Sequence, residues 1–301
     1  MKSTAILASA IVSLTATMNV NAEEFKAADL ANTHLAKAQY YRWFQLYERD
    51  LSQLRIENQL DILSDDIQVK SGAGHRSGKQ AYTQALSMYQ GWQNAHHVEQ
   101  IEVMDSSDGL RLSAAIEYQG IKPNGERNAY QVEYQALLAQ GEGTLPRFSS
   151  IELAPTGKRD VKFVDAYPEN RARSLTHYWL GLIEKLDGNI EPFKEILADE
   201  FEINFPSQTI TSLGQFEQWS QGIPSQIALS THYIDAFDVS VIGPDQYQIV
   251  MEFDWYGVTK DDQKLRYRTK HTWQIVDDIN QRFARITKID VEALEPLRVV
   301  E

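Results

Sequence analysis

The first half of this sequence is repeated, segment by segment, in the second. "YRWFQLYE" (41–48) returns as "HYWLGLIE" (177–184), setting Trp43 against Trp179 and Glu48 against Glu184. "DILSDDIQV" (61–69) returns as "EILADEFEI" (195–203), and "HHVEQIEV" (96–103) as "HYIDAFDV" (232–239). "IEYQG" (116–120) is matched by "FDWYG" (253–257), "AYQVEYQALL" (129–138) by "RYRTKHTWQI" (266–275), and "RFSSIEL" (147–153) by "RFARITKI" (282–289). Order is kept and the offset stays between 134 and 137 residues. A duplication of this kind requires one folding unit used twice, so the elements of one copy must serve for both.

The repeat sets the domain boundaries. Residues 1–22 fall outside it. Lys2, the apolar run "TAILASAIVSLTA" and the small residues of "VNA" read as a secretory leader with the mature chain starting at Glu23. The first domain is expected over 23–153, a linker carrying Pro155, Gly157 and Pro168 over 154–169, the second domain over 170–293 and a tail over 294–301. After the leader no stretch approaches the roughly 20 apolar residues a membrane helix needs, so a periplasmic or secreted, soluble product is expected. The chain lacks cysteine, which excludes thiol catalysis, disulfides and cysteine-ligated zinc. A net charge of −13 argues against nucleic acid and anionic membrane surfaces as partners.

Each copy opens with helical spacing and then changes period. In the first, Leu35, Tyr40, Trp43, Phe44 and Tyr47 form a helical stripe within 28–49, a shorter helix is expected over about 51–63, "DIQVK" (66–70) alternates, and 79–92 is helical again. The runs 97–104, 110–119, 128–139 and 148–153 then alternate with period two, and "KPNGE" (122–126) marks a hairpin. Each such strand has one apolar face to cover, and three helices on a curved antiparallel sheet cover it. The fold class is α+β.

This element order, with a first long strand of the form "AHH/THY-[VI]-x-x-[IF]-x-V", resembles the NTF2-like superfamily and its SnoaL-like branch, over nearly all of the mature chain. The resemblance implies two tandem cone-shaped half-barrels, each with an apolar pocket. It also implies that the halves pair through the outer faces of their sheets, as an internal pseudo-dimer in a monomeric chain. The superfamily holds isomerases, dehydratases, cyclases, epoxide hydrolases and modules that only bind, so the fold leaves function open.

Strand parity nominates the pocket residues. In 265–276 the inward set is Tyr267, Thr269, His271, Trp273 and Ile275; before it, Tyr247, Ile249, Met251, Phe253 and Trp255 share a face. A turn near Lys260 and Asp261 places Lys270 opposite Glu252 and Arg268 opposite Asp254, an outward charge ladder. Extending the parity of Phe237 and Val239 back along their strand places Tyr233 and Asp235 inward as well. Asp235 is thereby the candidate general base and His271 its partner across a ligand, with Tyr178, Tyr233 and Tyr267 available to donate. The first-copy counterparts are His97, Glu99, Tyr118, Tyr130 and Tyr134, with Arg42 opposite Tyr178. The alternative is that Asp235 and Glu99 are solvated rim residues and His271 a core histidine.

Two readings remain open. One is a module holding a small, largely apolar or aromatic molecule in one or both pockets; the other is a cofactor-free acid/base enzyme working through Asp235. The greater aromatic content of the second copy predicts that binding centres there. No cofactor or metal is expected: "GAGHRSG" (72–78) lacks the βαβ context of a dinucleotide site, adjacent His96 and His97 point to opposite faces of a strand, and no G-x-S-x-G elbow occurs.

Overall fold

The computed structural model describes residues 25–141, 143–185 and 187–300, so the expected leader lies outside the described residues. The first half runs α1 (Ala31–Trp43), β1 (Leu63–Ser71), β2 (Gly74–Ser77), α2 (Lys79–Leu86), β3 (Gln93–Ser106), β4 (Gly109–Ile121), β5 (Arg127–Ala139) and β6 (Arg147–Lys158). The second repeats this as α3 (Tyr167–Glu184), α4 (Phe193–Ile196), β7 (Leu197–Phe205), β8 (Gln208–Ile210), α5 (Leu213–Ser220), β9 (Ile227–Gly243), β10 (Gln246–Thr259), β11 (Lys264–Val276) and β12 (Arg285–Ala293). A last strand, β13 (Arg298–Val300), pairs with β11, so the expected tail is part of the sheet.

The two sheets have the same order, β2-β1-β6-β5-β4-β3 and β8-β7-β12-β11-β10-β9. The long strands form an antiparallel meander as alternation predicted, but each sheet is mixed, because β1 runs parallel to β6 and β7 to β12. The expected hairpin register is observed: Lys270 stands opposite Glu252 and Arg268 opposite Asp254. The apolar faces close on two separate cores. One gathers Trp43, Phe44, Ile67, Ile116 and Phe148, the other Trp179, Phe216, Phe253, Trp273 and Ile289.

Two expectations are corrected. The segment 51–63 is not an α-helix but two 3₁₀ turns, Ile56–Asn58 and Leu60–Ile62. Its polar groups bond outside the segment: Arg55 N–H donates to Asn280 Oδ1 at 2.7 Å, and the buried Gln59 carboxamide donates to the Gln281 carbonyl at 3.1 Å. Tertiary hydrogen bonds here override local helical spacing. The linker is shorter than expected, since β6 continues to Lys158 and α3 begins at Tyr167 with Pro168 in its first turn. "GAGHRSG" is a β1-β2 hairpin leading into α2.

The halves meet through their helices rather than the outer faces of their sheets. Helix α1 packs on α3, and both are buried around most of their circumference. Buried polar groups cross the seam. Ser174 Oγ donates to the Ala38 carbonyl at 2.9 Å, and His34 and His177 meet Nδ1 to Nδ1 at 2.9 Å. Arg171, fully buried, donates to Asp277 Oδ1 at 2.6 Å and to Gln45 Oε1 at 2.8 Å. Burial drives the His34 imidazole down to about 3 and that of His177 well below its ordinary value, so this histidine pair is neutral.

Candidate functional site

The cone of the first half encloses a cavity of about 450 Å³. Its walls include Tyr47, Tyr82, Tyr89, Trp92, Tyr118, Tyr130 and Tyr134 from α2, the strands and the segments next to them, with Val69, Leu86, Val132 and Leu153 between them. Polar groups converge at one end, where Asn94 and His96 of β3 face inward. Tyr118 Oη donates to Asn94 Oδ1 at 2.8 Å, and the Tyr47 and Tyr82 hydroxyls are bonded to each other. Burial pushes the Tyr47 phenol well above 10 and holds Tyr118 and Tyr134 above it too, so these hydroxyls are neutral donors.

His96 is held on three sides. Its ring stacks on Phe44 with centroids 4.5 Å apart, its backbone N–H donates to Glu48 Oε1 at 2.8 Å, and its Nδ1 lies 3.0 Å from the same oxygen. Glu48, five residues beyond the end of α1, has no exposed side-chain surface, and its two oxygens also accept from Asn170 Nδ2 of α3 at 2.9 and 3.1 Å. With Nδ1 committed to a carboxylate, Nε2 is the ring nitrogen left for a group in the cavity. The second half repeats the clamp: His232 N–H and Nδ1 meet Glu184 Oε1 at 2.6 and 3.0 Å. There the clamp borders the seam between the halves, since Glu184 Oε1 also lies 3.6 Å from His34 Nε2 of α1.

The second half's own space is smaller, about 260 Å³ near Leu182, Phe193 and Trp219. Matching register explains why. Val69 opposite Arg76 in β1-β2 corresponds to Ile203 opposite Ile210 in β7-β8. Continuing the alignment, Ser71 and Ala85, which line the first cavity, correspond to Phe205 and Trp219, whose rings stack at 5.0 Å. Ala136 of β5 corresponds to Trp273 of β11, fully buried against Trp179. The aromatic surplus that nominated the second half fills it instead.

The sequence-nominated residues divide accordingly. Tyr118, Tyr130 and Tyr134 line the first cavity. Phe253 and Trp273 are core residues, Trp255 and Tyr267 face each other across β10 and β11, and Tyr178 stacks on Phe283 at 4.3 Å. Arg42, opposite Tyr178 in the alignment, is fully buried and paired with Asp61. Trp255 lies across Gly257, where an added Cβ would overlap its ring, and donates through Nε1 to Ser230 Oγ at 2.9 Å. Tyr118 and Gly120 stand in the same relation, so the repeated phrase encodes an aromatic side chain folded over a glycine two residues on.

Asp235, Glu99 and His97 line no cone interior, Tyr233 lines only the open cleft at the seam between the halves, and one device explains all four. The pairing of β9 with β10 jumps from Ala236 opposite Glu252 to Ile234 opposite Phe253, leaving Asp235 as a bulge; β3 jumps in the same way at Glu99. An extra residue reverses side-chain parity on the far side of the bulge. His232 and Ile234 thus turn inward and Tyr233 outward, its hydroxyl donating to the Lys26 carbonyl. Asp235 is exposed and accepts from Arg268 at 2.5 Å; Glu99 is exposed and accepts from Gln131 at 2.7 Å. His97 turns to the Val164 carbonyl. His271 does face inward, but on the opposite side of the sheet from Asp235. It lies edge-on to Phe253 at 4.9 Å, its Nδ1 is unbonded, and burial lowers it to about 3.

Sequence reasoning missed His96, Glu48 and Asn94. A signal was present: Glu48 and His96 are identical to their second-copy counterparts, Glu184 and His232.

No family model matches the sequence, and no curated protein matches it. Solved structures similar to part of the chain include a hexachlorocyclohexane dehydrochlorinase from Novosphingobium barchaimii, 10% identical, with a TM-score of 0.38 over 44% of this chain and 88% of that one. An NTF2-like superfamily protein from Salmonella enterica is 14% identical, with a TM-score of 0.36 over 40% and 87%. A protein with a cystatin-like fold from Caulobacter vibrioides is 14% identical, with a TM-score of 0.36 over 43% and 91%.

Proposed function

We propose that this chain, two NTF2-like cones in tandem, is an exported protein that binds a small, largely aromatic molecule in the cavity of its first half. The observation that carries the reading is the contrast between the copies: Ser71 and Ala85 leave about 450 Å³ open where Phe205 and Trp219 close the equivalent space. That volume lies in the range of small-molecule sites, and aromatic walls with a few convergent polar groups are their usual lining. Trp92, on the cavity wall, supplies a fluorescence reporter. A screen of planar aromatic and alicyclic compounds should give quenching and a rise in melting temperature, the latter corresponding to about 2.7 kcal/mol at a hundredfold excess over Kd. Transplanting the second half's stack, as Ser71→Phe with Ala85→Trp, should abolish both responses in a protein that still folds. Unchanged binding in that variant would refute the assignment.

A second reading is favoured by one feature, the Glu48-His96 pair. A histidine whose Nδ1 is fixed by a carboxylate presents Nε2 as a proton acceptor to whatever occupies the cavity. In that reading His96, not Asp235, is the base of a cofactor-free isomerase or lyase. His96→Asn would lower turnover by at least about 10²-fold while the ligand still bound. Binding without turnover of any screened compound leaves the binding module.

A further inference from the structure

We propose that the ligand of the first cavity carries a carboxylate and that Arg76 receives it at the cavity mouth. The inference rests on the binding reading above and names its ligand class.

Three observations support it. First, the cavity lining is free of acids. Its charged members are Arg76 and Lys122, and no aspartate or glutamate joins them, although acids outnumber bases 42 to 29 in the chain. Second, Arg76 is half-buried, and among the described residues no carboxylate pairs with it; Nη1 donates to the adjacent His75 carbonyl at 3.0 Å. Lys122, by contrast, is already paired with Glu126 at 2.8 Å and lies over the Trp92 ring. Third, the closed second half has no cation at that position: the residue in the register position of Arg76 is Ile210, buried in its core, and the cation beside that half's smaller space is Lys260, which shares the lining with Asp187. The arginine is present in the half that keeps its cavity and absent from the half that fills it.

Position makes the guanidinium useful. Arg76 stands on β2 opposite Val69, itself a cavity residue, so the backbone holds it at the rim. Its charge reaches Tyr89 on the cavity wall, where it opposes the upward push of burial on the phenol. A planar fork of N–H donors above aromatic walls suits a molecule with an apolar ring and one carboxylate, the ring entering the cone and the acid remaining at the mouth.

The test compares 2-naphthoate with its neutral isostere 2-naphthamide by titration calorimetry on the full mature chain. The native protein should bind the acid about tenfold or more tightly than the amide, the size of a charge-assisted pair. Arg76→Gln should erase that preference, and Arg76→Lys should restore part of it. Raising salt from low to high concentration should weaken the acid alone. Equal affinity of the two probes for the native protein, or a preference that survives Arg76→Gln, overturns the acid assignment while leaving the cavity reading intact. Failure of both probes to bind overturns both.

Discussion

Glu48 offers the most demanding test of the architecture, because one carboxylate joins a strand, a ring and the other half of the molecule. Replacing it with alanine removes the acceptor for the His96 backbone N–H, for His96 Nδ1 and for Asn170 Nδ2. The Glu48 side chain has no exposed surface, so bulk water does not take its place. Each buried donor left without a partner costs about 1–3 kcal/mol, and partial relaxation brings the expected total to about 3–6 kcal/mol. Against a typical stability of about 5–15 kcal/mol, Glu48→Ala is close to unfolding. Glu48→Gln keeps an acceptor but turns an amide toward donors, and should lose about 1–3 kcal/mol. Equilibrium urea denaturation measures both. Because Asn170 belongs to α3, the double variant Glu48→Ala with Asn170→Ala should depart from additivity by at least about 1 kcal/mol. A loss below about 1 kcal/mol for Glu48→Ala, or additivity within about 0.5 kcal/mol, would refute the reasoning.

Other outcomes follow from single features. Unfolded histidine binds its proton near 6.5 and buried His271 only near 3, so the native state resists protonation and stability falls as pH drops through that interval. The slope from one such group is about 1.4 kcal/mol per pH unit, and His271→Phe should flatten the stability curve between pH 6.5 and 4; parallel curves would contradict the burial. Gly120→Ala sets a Cβ against the Tyr118 ring and should cost about 1–3 kcal/mol, with a changed near-ultraviolet circular dichroism spectrum; an unchanged spectrum would remove the folded-over aromatic. Protein recovered from the producing cell's envelope or medium should begin at Glu23, and N-terminal sequencing that finds Met1 would exclude the leader. Light scattering should give a monomer, since the helical seam already pairs the two copies within one chain; a stable dimer at micromolar concentration would count against it.

Much of the fold was legible because duplication supplies a comparison inside one sequence. The meander and the inward set of β11 followed from alternation, and the register of β10 with β11 from the turn placed near Lys260 and Asp261. The parallel pairing of β1 with β6 was not legible, since a short strand's periodicity says nothing about its neighbour's direction. The site was misread at one step. Parity was carried from Val239 back to Asp235 across a bulge, and a single uncounted residue moved His97, Glu99, Tyr233 and Asp235 to the wrong face. A bulge leaves no mark in composition. The identity of Glu48 with Glu184 and of His96 with His232 would have marked the correct face, because the two copies differ at most other polar positions. Aromatic content misled for a different reason: rings that face inward can line a space or occupy it, and the packing of Phe205 on Trp219 and of Trp273 on Trp179 shows that here they occupy it.

The seam of α1 on α3 has a consequence for how such a molecule can change over time. A hollow leaves its lining side chains with fewer packing partners than a filled core gives them, and a lone cone must offset that loss from its own core. Here the hollow cone is anchored by Asn170 and Arg171 to a neighbour whose interior is more fully packed with aromatic rings. The solid copy acts as ballast. Substitutions that reshape the lining of the hollow copy are then spread over a larger cooperative unit, so that half can change its interior while its twin keeps the pair folded.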